Sequence, residues 1–179
     1  MQFFEGNLKC LFDFIIAIPN GWDISFFENY DKAWRPTGVN PDDLMEVFTS
    51  THGMANVFLN SALELKKCKR EVIKIILIGQ GKMKPSLQKL TRCLGLDNVI
   101  SHDPVDNKTL AGIMAGADIG LQLFANVPVF YYITSPNKFF DYIASELPVL
   151  NNYLGLFDDF IKHEQCGLLY YTRKSFSFC

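Results

Sequence analysis

The hydrophobic period changes several times along the chain. Residues 1–18 are apolar and aromatic and end in Phe14-Ile15-Ile16-Ala17-Ile18, which predicts a strand. Pro19-Asn20-Gly21 stops it with turn chemistry. Residues 22–45 are mixed in polarity and carry Pro36, Gly38 and Pro41, as a linker with short helical turns would. Glu46 to Ser50 reads as a short strand. From Met54 the period becomes helical, with Ala55, Phe58, Leu59, Ala62, Leu63 and Leu65 on one face and a basic end over Lys66 to Arg70. Ile73 to Ile78 is a continuous β-branched apolar run, the pattern of a strand covered on both faces. Gly79-Gln80-Gly81 ends it. A helix follows over Pro85 to Leu94, a strand over Asn98 to Ile100, a helix over Asn107 to Ala115 and a strand over Ala117 to Leu123. Lys138 to Ala144, Pro148 to Asn151, Leu156 to Lys162 and Gly167 to Tyr170 continue the alternation as helix, strand, helix and strand.

Strands and helices alternate throughout residues 46–170, and no Asn-Gly hairpin separates two strands there. The pattern predicts an α/β domain with a parallel, doubly wound sheet. The expected organisation is an arm and linker over 1–45, one domain over 46–170 and an atypical tail over 171–179. A chain of 179 residues can bury about 70% of its unfolded surface, so a real core is expected.

Composition narrows the function classes. The chain is 49% hydrophobic and 20% charged, which excludes intrinsic disorder. A net charge of −2 argues against a protein held to nucleic acid by a basic field, but leaves room for a small anionic ligand in a local pocket. Cys10, Cys68, Cys93, Cys166 and Cys179 form no Cys-x-x-Cys pair and are odd in number, so neither a disulfide framework nor a zinc site is expected. Glu5, Lys9 and Asp13 break the N-terminal apolar run, unlike a signal peptide. The longest uncharged stretch, Ile119 to Asn137, contains Gln122, Asn126, Pro128 and Pro136 and reads as a buried strand plus loop rather than a membrane span. The expected location is the cytoplasm, with a peripheral place at the inner face of the membrane as the alternative.

Parallel sheets of this kind bind ligands beyond the carboxyl ends of their strands. That directs attention to Thr51-His52-Gly53, Gly79-Gln80-Gly81, His102 to Val105, and Ser135 to Asp141. Thr51-His52-Gly53 opens a predicted helix, where free N–H groups can hold a phosphate or Thr51 can simply cap. Gly79-Gln80-Gly81-Lys82 lacks the spacing of a Walker loop, so it is either a tight turn or backbone brought close to a ligand. In Ser135-Pro136-Asn137-Lys138, Ser135 or Asn137 can cap a helix whose first turn carries Lys138. A lysine there opposes the helix dipole and makes sense beside an anion. Asp141, one turn on, can accept two hydrogen bonds from a ribose diol, or form a surface pair with Lys138. His52, His102 and His163 have no i, i+4 partner, so no metal site is expected, and no Gly-x-Ser-x-Gly elbow is present.

The order of these pieces resembles the nucleotide-sugar-binding half of a retaining GT-B glycosyltransferase, of the family-4 type that assembles bacterial capsule, O-antigen and exopolysaccharide. Ile18-Pro19-Asn20-Gly21-Trp22-Asp23 is similar to the family's interdomain I-P-N-G-x-D segment. Thr51-His52-Gly53-Met54-Ala55-Asn56 resembles the glycine-rich start of its second domain in one subgroup. Leu77-Ile78-Gly79-Gln80-Gly81, Ala115-Gly116-Ala117-Asp118-Ile119-Gly120 and the stretch from Ser135 to Ala144, followed by Pro148-Val149, resemble h-h-G-x-G, A-G-A-D-h-G and S-P-x-K-h-x-E-Y-h-A. The likeness covers about Ile18 to Leu169.

The resemblance implies a Rossmann-like second half of a GT-B fold, binding a nucleotide diphospho-sugar, usually uridine-based, for transfer to a polysaccharide or lipid-linked acceptor. It implies no metal, because cationic side chains and a helix N-terminus stabilise the departing diphosphate. Lys138 and the Thr51–Gly53 loop would hold the diphosphate, Asp141 would hold the ribose, and the backbone around Asp103 to Val105 would hold the base. The substrate-binding candidates are then Thr51, His52, Gly53, Gly79, Gly81, Asp103, Val105, Ser135, Asn137, Lys138 and Asp141, with no catalytic residue assigned. Two departures stand out. Ile133 occupies the place of the family's first glutamate, and Glu146 that of a glycine in a turn where φ > 0 would make glutamate costly. Only about 18 residues precede the linker motif, and residues 171–179 match nothing in the family. The expectation is therefore a donor domain truncated at both ends. The alternative is a non-catalytic or partner-dependent subunit, or an inactive fragment, that retains only nucleotide-sugar binding. An epimerase of the same fold is a third reading, which chain length disfavours equally.

Overall fold

The computed structural model describes residues 34–50, 72–124, 136–152 and 154–170. The predicted strand over 14–18, the helix from Met54, the Thr51–Gly53 loop, Ser135, Ile133 and the tail lie outside these residues. Among the described residues the chain runs β1 (Leu44–Thr49), β2 (Ile73–Ile78), α1 (Lys84–Leu94), β3 (Val99–His102), α2 (Asn107–Gly116), β4 (Ile119–Gln122), α3 (Asn137–Ala144), β5 (Val149–Asn151), α4 (Leu156–Glu164) and β6 (Gly167–Leu169).

The six strands form one sheet in the order β3-β2-β1-β4-β5-β6, and every pairing is parallel. This is the α/β, doubly wound sheet that the alternation predicts, with the strand order of dinucleotide-binding folds. Ile75 to Ile78 of β2 are buried, as expected of a strand with helices on both sides. On one face Met45, Val47, Ile76 and Ile78 pack with Ile113 and Met114 of α2, Phe139 and Tyr142 of α3, and Phe157 and Ile161 of α4. On the other face Phe48, Ile75, Leu77 and Leu121 pack with Leu87 of α1 and with Leu96. The winding reverses between β3 and β4, so right-handed crossovers place α1 on one face and α2 to α4 on the other.

Local chemistry sets the helix ends. Pro85 sits in the first turn of α1, and Gly95, at φ 62°, ends the helix while its N–H and that of Leu96 bond the carbonyls of Arg92 and Thr91. Asp106 caps α2 by accepting from the Thr109 amide at 2.7 Å. In α4, Asp158 and Lys162 pair at i, i+4. The first strand begins at Leu44 rather than Glu46, and the segment before it packs on the domain. The Trp34 N–H donates to the Gly112 carbonyl at 2.9 Å, and Arg35 bonds Asp118 at 3.0 Å. Asp118 in turn accepts from the Met45 amide, which aligns the start of β1 with β4. No helix among the described residues is long and apolar enough to cross a membrane.

Candidate functional site

The sheet's topological switch lies between β1 and β4. These strands pair only at Glu46 with Ile119 and Val47 with Gly120, and part beyond. Tyr142 of α3 fills the fork. Its ring lies against Gly120, where any side chain would collide with it. Its hydroxyl accepts from the Thr49 amide at 3.1 Å and lies 3.2 Å from the carbonyls of both Val47 and Leu121, to one of which it donates. Burial pushes the Tyr142 hydroxyl up to about 12, so it stays protonated in this role.

Lys138 lies one turn before Tyr142. It is 7% exposed, and its Nζ lies 4.1 Å from the Phe48 ring centre and 4.6 Å from that of Phe124. The ammonium is thus held against two aromatic faces, from β1 and from just after β4. Among the described residues it makes no hydrogen bond or ion pair with an oxygen. Burial pulls it down to about 7. Phe124 is fixed by Asn152, whose Oδ1 accepts from the Phe124 N–H at 2.8 Å and whose Nδ2 donates to the Phe124 carbonyl at 3.1 Å. One side chain thereby imitates a strand and extends the edge of β4 beyond its ladder.

Asp141 is also buried, with Oδ1 unpartnered, and burial pushes its carboxyl up to about 6. No ion pair joins it to Lys138, so the surface-pair alternative is corrected: both face inward. Gln122, at the end of β4, is fully buried, and neither its Nε2 nor its Oε1 has a partner among the described residues. Unpaired buried polar groups are costly, so an unsatisfied amide at the end of β4 marks a place prepared for hydrogen bonding. Asn137 does not cap α3. It is the first helical residue and is exposed, while Pro136 holds the cap position without a side-chain bond.

A second cluster closes the ends of β2 and β3. Gly79 leaves β2 at φ 139°, a backbone conformation that suits glycine. Lys84 folds back from the start of α1 and donates to the Gly79 carbonyl at 3.0 Å, the His102 carbonyl at 2.7 Å and the Asp103 carboxylate at 2.7 Å. The hydrogen bond and charge of Lys84 hold Asp103 below the usual carboxylate range, although that side chain is exposed. The Gly81 carbonyl accepts from the Lys84 N–H at 3.1 Å, and Val105 packs partly buried against the core beside α2. The His102 ring meets Trp34 edge-on, with centroids 5.5 Å apart, and its Nε2 has no partner among the described residues.

Of the sequence-predicted residues, the fold buries Lys138 at the β1–β4 fork, buries Asp141 one turn further along α3, and gathers Gly79, Gly81 and Asp103 around Lys84. Thr51, His52, Gly53 and Ser135 fall outside the described residues. Phe48, Phe124, Asn152, Gln122 and Lys84 were not singled out from the sequence. Only Lys84 carried a signal, as a second lysine opposing a helix dipole. Glu146 takes φ 56°, the left-handed conformation anticipated for the family's glycine.

No family model matches this sequence, and no curated protein does. Solved structures share its fold. A structure of WaaG, a glycosyltransferase involved in lipopolysaccharide biosynthesis, matches with a TM-score of 0.65 at 17% identity over 89% of this chain and 44% of its own. Anabaena HepE in complex with UDP-glucose matches with a TM-score of 0.58 at 17% identity, over 87% of this chain and 43% of its own. The C-terminal domain of LpcC, a group 1 glycosyl transferase from Francisella tularensis, matches with a TM-score of 0.61 at 16% identity, over 87% of this chain and 82% of that domain. The chain spans less than half the length of the WaaG and HepE structures. At these identities the likeness is one of fold, the Rossmann-like half of such enzymes.

Proposed function

We propose that this chain binds a nucleotide diphospho-sugar, uridine-based, as the donor-binding half of a retaining glycosyltransferase. The observation that carries the reading is the Lys138 ammonium, buried at the topological switch against Phe48 and Phe124 with no oxygen partner among the described residues. A buried cation without a counter-charge is costly, and a diphosphate entering beyond the β1 and β4 ends would supply one. During transfer the same ammonium would stabilise the negative charge that develops on the departing diphosphate.

Asp141, ionised, would accept the ribose hydroxyls through the oxygen that now lacks a partner. The Gly79–Gly81 turn and the backbone of Asp103 to Val105 would form the nucleoside end. Anabaena HepE, crystallised with UDP-glucose, supports a donor of this class. The acceptor, a glycan or a lipid-linked saccharide, would be held by a second domain or a partner chain, since one α/β domain cannot by itself orient both substrates. The reaction would take place in the cytoplasm or at the inner face of the membrane.

The test is a thermal melt with UDP, UDP-sugars and inorganic pyrophosphate. A ligand at 100 times its Kd adds about 2.7 kcal/mol, a rise of about 5 to 10 °C for a chain of this size. A rise with uridine ligands, lost in Lys138→Ala, supports the reading. A cooperative melt that no nucleotide moves would sink it. Acceptor-dependent release of nucleotide by the purified chain alone would overturn the need for a second domain.

A further inference from the structure

Lysine at the first position of a helix faces the positive end of the dipole, so Lys84 needs a compensating reason. Its ammonium turns away from the helix and finds three oxygens, the carbonyls of Gly79 and His102 and the Asp103 carboxylate. An ammonium has three donors, so all of them are used. Gly79 and His102 sit where the β2–β3 ladder runs out: Ile78 pairs with His102 as the last residues in register, and the next bond, from the Gly79 amide to the His102 carbonyl, has lengthened to 3.4 Å. Lys84 thus ties two strand ends together just where backbone pairing fades. It is 9% exposed, whereas the Asp103 side chain is 94% exposed. The sheltered bonds to the two carbonyls therefore dominate over the solvated ion pair.

We infer that Lys84 is a positioning residue for the nucleoside end of the site, which makes the chain selective for a nucleoside diphosphate over bare diphosphate. This rests on the nucleotide binding proposed above. The two turns that Lys84 joins, Gly79–Gly81 and Asp103–Val105, would meet the base with main-chain groups. Such groups discriminate only when the main chain holds one path before the ligand arrives. The diphosphate subsite at Lys138 lies at a different pair of strand ends, β1 and β4, and shares no hydrogen bond with Lys84. Loss of Lys84 therefore acts on one end of the ligand and spares the other.

The experiment is calorimetric titration of the full chain and of Lys84→Met with UDP and, separately, with inorganic pyrophosphate. The expected result is a UDP affinity about tenfold or more weaker in the variant, with pyrophosphate affinity within about twofold of the parent. Lys84→Arg keeps the charge, but its planar fork cannot send donors to three converging oxygens, and it should lose most of the same selectivity. Should Lys84→Met fail to melt cooperatively, Lys84→Gln, whose amide can still reach one carbonyl, is read in the same way. Equal weakening of both ligands, or an unchanged ratio between them, overturns the inference while leaving the nucleotide reading intact. A parent chain that binds neither ligand overturns both.

Discussion

The Lys138 ammonium lies 4.1 Å from the centre of the Phe48 ring. Two cation–π contacts, to Phe48 and Phe124, offset only part of the several kcal/mol lost on burying an ammonium with no counter-charge among the described residues. Lys138 is therefore a net cost in the ligand-free chain. Lys138→Met should raise the melting temperature, by about 2 to 4 °C for each kcal/mol gained, while abolishing the nucleotide-induced shift. A lower melting temperature in the variant would show that Lys138 stabilises the fold instead.

The same burial makes binding and stability depend on pH. Lys138 falls from 10.5 to about 7 and Asp141 rises from 3.8 to about 6. Between about pH 7 and the ordinary lysine value the unfolded chain holds a proton that the folded chain has lost, so stability rises with pH. Between the ordinary aspartate value and about pH 6 the folded chain holds the extra proton, so stability falls as pH rises. These two groups together place a stability minimum between about pH 6 and 7. Anion binding needs the charged ammonium, so the pyrophosphate affinity of the parent chain should weaken by up to about tenfold per unit above pH 7. Titrations in buffers of different ionisation heat should show proton uptake. A parent affinity that stays flat above about pH 7 would contradict this.

The Asn152 side chain reaches the anion site through Phe124. Asn152→Ala removes both bonds that fix the Phe124 backbone and should cost about 1 to 3 kcal/mol. It should also weaken pyrophosphate binding, because one wall of the Lys138 enclosure loses its support. Unchanged affinity in a correctly folded Asn152→Ala would show that Phe124 is held by its packing alone.

Tyr142→Phe keeps the ring against Gly120 but deletes the hydroxyl that joins Thr49, Val47 and Leu121. The loss leaves buried main-chain groups unsatisfied and should destabilise by about 1 to 3 kcal/mol in urea titration. A neutral result would mean that water takes the hydroxyl's place.

Glu146 and Gln165 hold φ 56° and 53°, and both are exposed. A side chain in this region costs roughly 1 to 2 kcal/mol. Glu146→Gly and Gln165→Gly should each stabilise by up to about 1 kcal/mol, since the flexibility of glycine in the unfolded chain offsets part of the relief. Their effects should add, because the two residues occupy different turns and no hydrogen bond joins them.

Hydrophobic period is a property of neighbouring residues, and most of the secondary structure was legible from it. Ile73 to Ile78 spells out β2 because a strand covered on both sides must be apolar at every position. The alternation of strand and helix required parallel pairing, because crossovers return each strand in the same direction. The strained turn at Glu146 was legible too, as a residue standing where the family has glycine. The order of the strands was not. It depends on pairings between residues far apart, such as Val47 with Gly120, and no local pattern encodes them. That order alone puts the switch between β1 and β4, and so decides that Phe48 and Phe124 enclose Lys138. In the sequence Lys138 and Asp141 could equally have been a solvated surface pair. Burial, which only the packed structure sets, removes their water and makes them a candidate binding site. Lys84, in the sequence no more than a lysine opposing a helix dipole, becomes the tie between two strand ends because the sheet brings Gly79 and His102 within reach of one ammonium.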